Sequence, residues 1–162
     1  MRAVYAGSFD PFTYGHLSVV REAALLFDEV SIVIASNPNK QRLFNRNDMM
    51  CAIMMCMMRE DLRNVTVFES DDLTADVCRR FGAHYLVRGL RNAVDYFYEE
   101  DMAKFNQQLY PDLRTVYVRA TDDHISSSAA RELWRRHKSV DGYVPPDIAQ
   151  LMNRSKFATG ED

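Results

Sequence analysis

The chain has 162 residues, 47% of them hydrophobic and 27% charged. A chain of that length buries roughly 70% of its unfolded surface, enough for one core without disulfide or metal staples. Twenty basic residues against twenty-three acidic ones leave a formal charge of −3, which argues against a nucleic-acid or anionic-membrane partner held by bulk charge yet leaves room for a local cationic pocket.

The elements follow in order. Arg2 to Tyr5 reads as a first strand. Val20, Ala23, Ala24 and Phe27 make a helical stripe, with Arg21 and Glu22 turned away from it. Val30 to Ala35 is apolar enough for a strand buried on both faces, as in a parallel sheet. Asp48 to Met58 reads as a helix that is apolar on every face after Asp48 and carries six methionines; such a helix is either a core helix or one with a face against a second subunit. Val65 to Phe68 is the third strand. The stripe Leu73, Val77, Phe81 is a helix stopped by Gly82, a residue suited to the left-handed position after a helix end. Tyr85 to Val87 is the fourth strand, and Val94, Phe97, Tyr98, Met102, Phe105 and Leu109 form a longer helical stripe that ends before Pro111. Thr115 to Val118 is the fifth strand, a helix runs from about Ser126 to His137, and a last one follows Pro145-Pro146.

This alternation predicts an α/β fold: a single doubly wound parallel sheet, helices on both faces, in one domain over 1–157 with a flexible tail at 158–162. Ligands in such a fold bind beyond the carboxyl ends of the strands, where the strand order reverses. The N-terminus enters Ala3-Val4-Tyr5 with no secretory signal pattern, and the most apolar run is about half a bilayer span. Cys51, Cys56 and Cys78 form no C-x-x-C pair and no zinc-type array. They read as reduced thiols of a cytoplasmic protein.

Four segments after strands carry chemistry. In Gly7-Ser8-Phe9-Asp10-Pro11-Phe12-Thr13-Tyr14-Gly15-His16, glycine and proline suit a rigid turn, and His16 opens a helix whose free N–H groups favour an anion. The plainer alternative is that His16 merely caps the helix. In Asn37-Pro38-Asn39-Lys40 the lysine is a solvated charge or, beside a phosphate pocket, a point-charge clamp; Arg42 and Arg46 read as surface residues. Arg88-Gly89-Leu90-Arg91 offers two guanidiniums that either grip phosphate or pair with Asp95 and Glu99 on the next helix. Ile125-Ser126-Ser127-Ser128 supplies an N-cap and several hydrogen-bond donors.

Together these strings resemble the nucleotidyltransferase superfamily. The Arg-Gly-Leu-Arg block with Asp95, Tyr98 and Glu99 downstream is similar to the bacterial phosphopantetheine adenylyltransferase family within it. The resemblance implies a Rossmann-like fold and adenylyl transfer from ATP to 4′-phosphopantetheine, giving dephospho-CoA and pyrophosphate. It implies His16, Lys40, Arg88 and Arg91 as catalytic residues. It places Ser8, Phe9, His16, Gly89, Leu90, Arg91, Glu99, Asp122, Asp123, His124, Ile125, Ser126, Ser127 and Ser128 around ATP, and Ser8, Lys40, Thr74 and Arg88 around the acceptor. Mg²⁺ would ride in with ATP, without a protein cage. The family also implies a homohexamer and coenzyme A as a feedback inhibitor.

Two departures stand out. Asp122-Asp123-His124 lies where relatives more often carry an aromatic or small polar residue, and is expected to face solvent or hold metal through water. Thr74 replaces a frequent Leu or Met. Transfer to another small phosphorylated acceptor, or a nucleotide sensor without turnover, are the alternative functions. A nucleic-acid module is disfavoured, since no basic stripe with interleaved aromatics is present.

Overall fold

The computed structural model describes residues 1–36, 41–120 and 124–158. The predicted Lys40, Asp122 and Asp123, and the tail from 159, lie outside them. The order is β1 (Arg2–Gly7), α1 (Tyr14–Leu26), β2 (Glu29–Ala35), α2 (Arg46–Arg59), β3 (Val65–Ser70), α3 (Thr74–Arg80), β4 (Tyr85–Leu90), α4 (Ala93–Leu109), β5 (Arg114–Arg119), α5 (Ser127–Arg135) and α6 (Pro146–Ala158). All strand pairings are parallel, in the spatial order β3-β2-β1-β4-β5. The order reverses between β1 and β4, so a crevice opens beyond Gly7 and Gly89, where the chain leaves one strand for α1 and the other for α4.

One face of the sheet packs Tyr5, Ile32, Ile34 and Val87 under Leu17, Val20 and Ala23 of α1 and Met49, Ile53 and Cys56 of α2. The opposite face sets Val4, Ala6, Val33 and Leu86 against Ala75, Val77 and Cys78 of α3. The chain is thus wound on both sides, as its alternating pattern requires. Gly82, at φ +61°, takes the left-handed position just after α3.

Two helices differ from their sequence reading. The apolar stripe of α4 does not enter the core: Val94, Phe97 and Tyr98 are 78%, 71% and 66% exposed, and Asn106 is the helix's buried residue. The second helix divides its methionines. Met49 and Met57 join Ala52, Ile53 and Cys56 in the core, whereas Met54, Met55 and Met58 face outward. Periodicity found both stripes, but it cannot say whether the surface that meets a stripe belongs to the same chain.

Burial raises the thiols of Cys56 and Cys78 to about 11 and about 12, so neither is a thiolate at neutral pH. No described helix is long and apolar enough to cross a membrane.

Candidate functional site

The crevice between β1 and β4 is a cleft of about 410 Å³. Its walls bring together Ser8, Phe9, His16, Arg88, Gly89, Arg91, Glu99, Ile125, Ser126, Ser127 and Ser128 from four separated segments. Leu90 and His124 are not among its lining residues. Leu90 ends β4 and its carbonyl accepts from Ala120 N–H at 2.9 Å, while His124 is exposed. Thr74 lines a smaller neighbouring cavity of about 70 Å³ together with Arg88, Tyr98, Glu99 and Asn106.

His16 sits in the first turn of α1 and takes part in that helix's cap. Thr13 caps the helix by accepting from His16 N–H, and His16 Nδ1 accepts from Thr13 N–H at 3.0 Å. With Nδ1 as acceptor, the ring proton belongs on Nε2. Burial, then the charges of Arg91 and Arg88, lower the imidazole to about 4, so it is neutral at pH 7. The ring lies edge-on to Phe9, with centroids 5.0 Å apart, which holds it side-on as well. A neutral imidazole, fixed through Nδ1, lines the cleft.

Phe9 adopts φ +43°, uncommon for a bulky residue. Two elements hold that turn. Arg42 Nη1 donates to Ser8 O at 2.5 Å and Arg42 Nη2 to Phe9 O at 3.4 Å. From α5, Arg131 Nη1 donates to Asp10 O at 2.5 Å. Asp10 completes the staple by accepting from Leu43 and Phe44 N–H at 2.9 and 3.0 Å. Arg42 is therefore not a surface residue: burial lowers its pKa, and its guanidinium pins three consecutive residues together with Arg131. Gly7 is explained by the same turn, since a Cβ there would lie 3.0 Å from the Phe9 ring.

Arg88, near the end of β4, and Arg91, just beyond it, meet the carboxylates of α4. Arg88 Nε and Nη2 donate to the two oxygens of Glu99, each at 2.6 Å, and Nη1 donates to Ala6 O at 2.6 Å. Burial works to lower Arg88, but the Glu99 hydrogen bonds and charge outweigh it and raise its pKa. Arg91 Nε and Nη2 reach the carboxylate of Asp95 at 3.0 and 3.2 Å, and that hydrogen bonding, more than any other cause, lowers Asp95. Both guanidiniums also line the cleft, so the carboxylates hold them where an anion would meet them. Gly89 keeps α1 close: a Cβ there would lie 2.7 Å from Val19 Cγ2.

The serine triplet opens α5. Ser126 Oγ accepts from Ala129 N–H at 3.1 Å as the N-cap, and Ser127 Oγ donates to Pro11 O at 2.8 Å. Ser127 and Ser128 begin the helix at the cleft wall, the end that favours negative charge. Among the described residues no group of three His, Cys, Asp or Glu side chains stands ready to hold a metal ion.

Sequence reasoning missed Asn106, Arg42 and Tyr5. Asn106 had a signal, as the polar residue one turn after Met102 on an apolar stripe. Arg42 had none, because its partners are backbone carbonyls 33 and 34 positions away. Tyr5 forms part of the cleft wall and reads in sequence as an ordinary strand residue.

Comparison with known proteins agrees with this geometry. The cytidylyltransferase-like family profile matches residues 4–133. A phosphopantetheine adenylyltransferase of Cytophaga hutchinsonii is 40% identical over 149 residues, 90% of this chain and 97% of that one. Its counterpart in Synechococcus sp. (strain JA-3-3Ab) is 38% identical over 159 residues, covering 97% and 98%. That of Limosilactobacillus reuteri (strain DSM 20016) is 35% identical over 154 residues, covering 94% and 88%. A crystal structure described as that of a nicotinate-nucleotide adenylyltransferase from Vibrio parahaemolyticus superposes with a TM-score of 0.71 at 17% identity, over 94% of this chain and 91% of that one, which supports the fold. With its Gly7–His16, Arg88–Arg91 and Ser126–Ser128 strings gathered at one crevice, the chain belongs to the phosphopantetheine adenylyltransferase family of cytidylyltransferase-like nucleotidyltransferases.

Proposed function

We propose that the protein transfers the adenylyl group of ATP to 4′-phosphopantetheine, giving dephospho-CoA and pyrophosphate, a step of coenzyme A biosynthesis in the cytoplasm. The observation that carries this reading is a neutral His16, its Nδ1 held by Thr13 N–H, lining a cleft that also gathers Arg88, Arg91 and the N-terminus of α5. The acceptor phosphate is already an anion, so the reaction needs alignment and charge stabilisation more than a general base. His16 donates from Nε2 to the α-phosphate as charge gathers on its oxygens. Arg88, Ser8 and Lys40 hold the incoming phosphate, and the pantetheine arm runs into the cavity of Thr74 and Asn106. Arg91 and Ser126–Ser128 receive the triphosphate. Mg²⁺ belongs to the substrate, bound to the phosphate oxygens of ATP.

In the same reading coenzyme A occupies this cleft as a feedback ligand. The chain assembles as a hexamer, with the exposed faces of α2 and α4 available for its contacts. The test is pyrophosphate release with ATP and Mg²⁺ against phosphopantetheine, nicotinate mononucleotide and glycerol 3-phosphate. Release with phosphopantetheine alone is expected. Release with either other acceptor reassigns the substrate, and none with any of the three removes the activity.

A further inference from the structure

The cleft end of α4 is held to its own sheet by polar contacts. The apolar stripe of the helix faces outward and Asn106 is its buried residue, so little hydrophobic burial fixes how it is turned about its axis. At the far end Arg79 Nη2 donates to Leu109 O at 2.5 Å. At the cleft end lie three pairs: Arg91 with Asp95, Arg88 with Glu99, and Tyr117, whose hydroxyl donates to Glu100 Oε2 at 2.9 Å.

The last two pairs work as one unit. Arg88 and Tyr117 are register partners on β4 and β5, so their side chains leave the same face of the sheet next to each other. Glu99 and Glu100 are consecutive on α4, so they leave the helix about 100° apart. Two neighbouring strands thus grip two neighbouring glutamates. A helix tied at one such point can roll; tied at two it cannot. The Tyr117 ring also packs edge-on to Tyr96, with centroids 5.6 Å apart. Burial, then the bond to Glu100, pushes the phenol up, so its hydroxyl is a donor throughout the neutral range. Neither Tyr117 nor Glu100 lines the nucleotide cleft or the cavity of Thr74.

A roll of α4 would matter to one arginine more than to the other. Arg91 directly precedes the helix and Asp95 lies in its first turn, so that pair travels with α4. Glu99 is eleven residues from Arg88 and on a different element, so a roll would move the carboxylate against a strand that stays in place.

We propose that Tyr117 is a positioning residue: its bond to Glu100 fixes the roll of α4, which sets where Glu99 holds the Arg88 guanidinium for the acceptor phosphate. The inference rests on the adenylyl-transfer reading above. Tyr117 touches no substrate, and its effect reaches the reaction through Glu100, Glu99 and Arg88.

Tyr117→Phe keeps the ring and removes the hydroxyl. It is expected to raise the phosphopantetheine KM about fivefold, with kcat and the ATP KM within twofold of wild type; a charge-assisted hydrogen bond made to the phosphate itself would be worth more. Glu100→Leu should have the same effect. Glu100→Gln, which still accepts from Tyr117, should keep wild-type values, and Tyr117→Phe combined with Glu100→Leu should be no worse than either alone. A second readout needs no turnover. By NMR, hydrogen exchange at Arg88 Nε–H should quicken about fivefold in Tyr117→Phe, while that at Arg42 Nε–H stays as in wild type. A phosphopantetheine KM within twofold of wild type, equal rises in both KM values, or a Glu100→Gln variant as impaired as Glu100→Leu overturns the proposal. So does Arg88 exchange that is unchanged, or that quickens together with Arg42, since a general loosening of the fold touches both. If the wild type shows no turnover with phosphopantetheine, the adenylyl-transfer reading falls, and the tie from Tyr117 to Arg88 is decided by the exchange measurement alone.

Discussion

Two pairs of arginines border the crevice and lean mainly on different kinds of oxygen. Arg42 and Arg131 donate to backbone carbonyls of residues 8–10, with Asp10 a looser ion-pair partner of Arg42 at 3.8 Å, whereas Arg88 and Arg91 are held chiefly by the carboxylates of Glu99 and Asp95, with Ala6 O a further acceptor for Arg88. A carbonyl anchor is part of the fold and has no competitor of like chemistry. A carboxylate anchor can be exchanged, because a phosphate offers the same guanidinium the same kind of oxygen with more charge. The first pair therefore shapes the turn that presents Ser8 and braces Phe9. The second is kept extended and oriented at the cleft wall. Residue type alone does not separate these roles, but the identity of the acceptor does.

The contrast can be attacked first at Arg88. Arg88→Ala should lower kcat/KM for the acceptor about 10³-fold, at the upper end for loss of one charge-stabilising donor. It should also cost about 3 kcal/mol of stability by leaving Glu99 unpaired in a partly buried place. Adding Glu99→Gln should return most of the stability and none of the activity; denaturant melts and steady-state kinetics on the cycle would decide, and recovery of both would deny Arg88 its anion role.

Arg42→Ala should behave as a scaffold loss. The expected cost is about 2 kcal/mol for charge-assisted bonds to carbonyls, with kcat down about tenfold at a temperature where the variant is folded. Arg46→Ala, four residues on at the start of α2 and paired with the exposed Asp71 and Glu69, should cost less than about 1 kcal/mol. Equal losses for the two would erase the distinction between them.

The pH dependence of stability comes next. His16 titrates near 4 when folded, against an ordinary value of 6.5. The unfolded chain takes up that proton first as pH falls, so stability is lost from about pH 6.5 downward until the folded site titrates near 4. The difference in stability between wild type and His16→Gln should therefore change across that window, by about 3 kcal/mol, and stay flat above pH 7. A difference that varies instead between pH 7 and 9 would contradict the assigned ionisation.

The smallest effect is the most selective. Arg91→Gln removes a positive charge that lowers His16, so the imidazole pKa should rise, by less than about one unit at a screened distance. Arg42→Gln should leave it in place. NMR titration of the imidazole in both variants separates the two arginine pairs by a criterion independent of turnover.

Much of this molecule is legible from its sequence. Strands such as Val30–Ala35 announce themselves, and the helix after Leu73 stops at Gly82 as read. The strand ends were harder. β1, β3 and β4 each run two or three residues beyond their apolar stretch, to Gly7, Ser70 and Leu90. Most of the added residues are small, polar or charged, such as Gly7, Glu69, Ser70, Arg88 and Gly89, so propensity undervalues them. The motif strings carrying His16, Arg88, Arg91 and Ser126–Ser128 could be read because each lies at the end of a strand or in the segment that leads from it to the next helix. What spacing could not reveal was partnership: that Arg42 belongs to the Ser8–Asp10 turn, or that the α4 stripe turns away from its own core.

Gly89 links these levels. The methyl group it lacks would collide with Val19 on α1. How deeply the first helix nests against the fourth strand therefore depends on the omission of one carbon, and the depth at which its imidazole hangs depends on that nesting. A larger residue at position 89 would act as a shim under the helix, levering the imidazole of His16 out of its place in the cleft wall while most of the hydrophobic packing stayed intact.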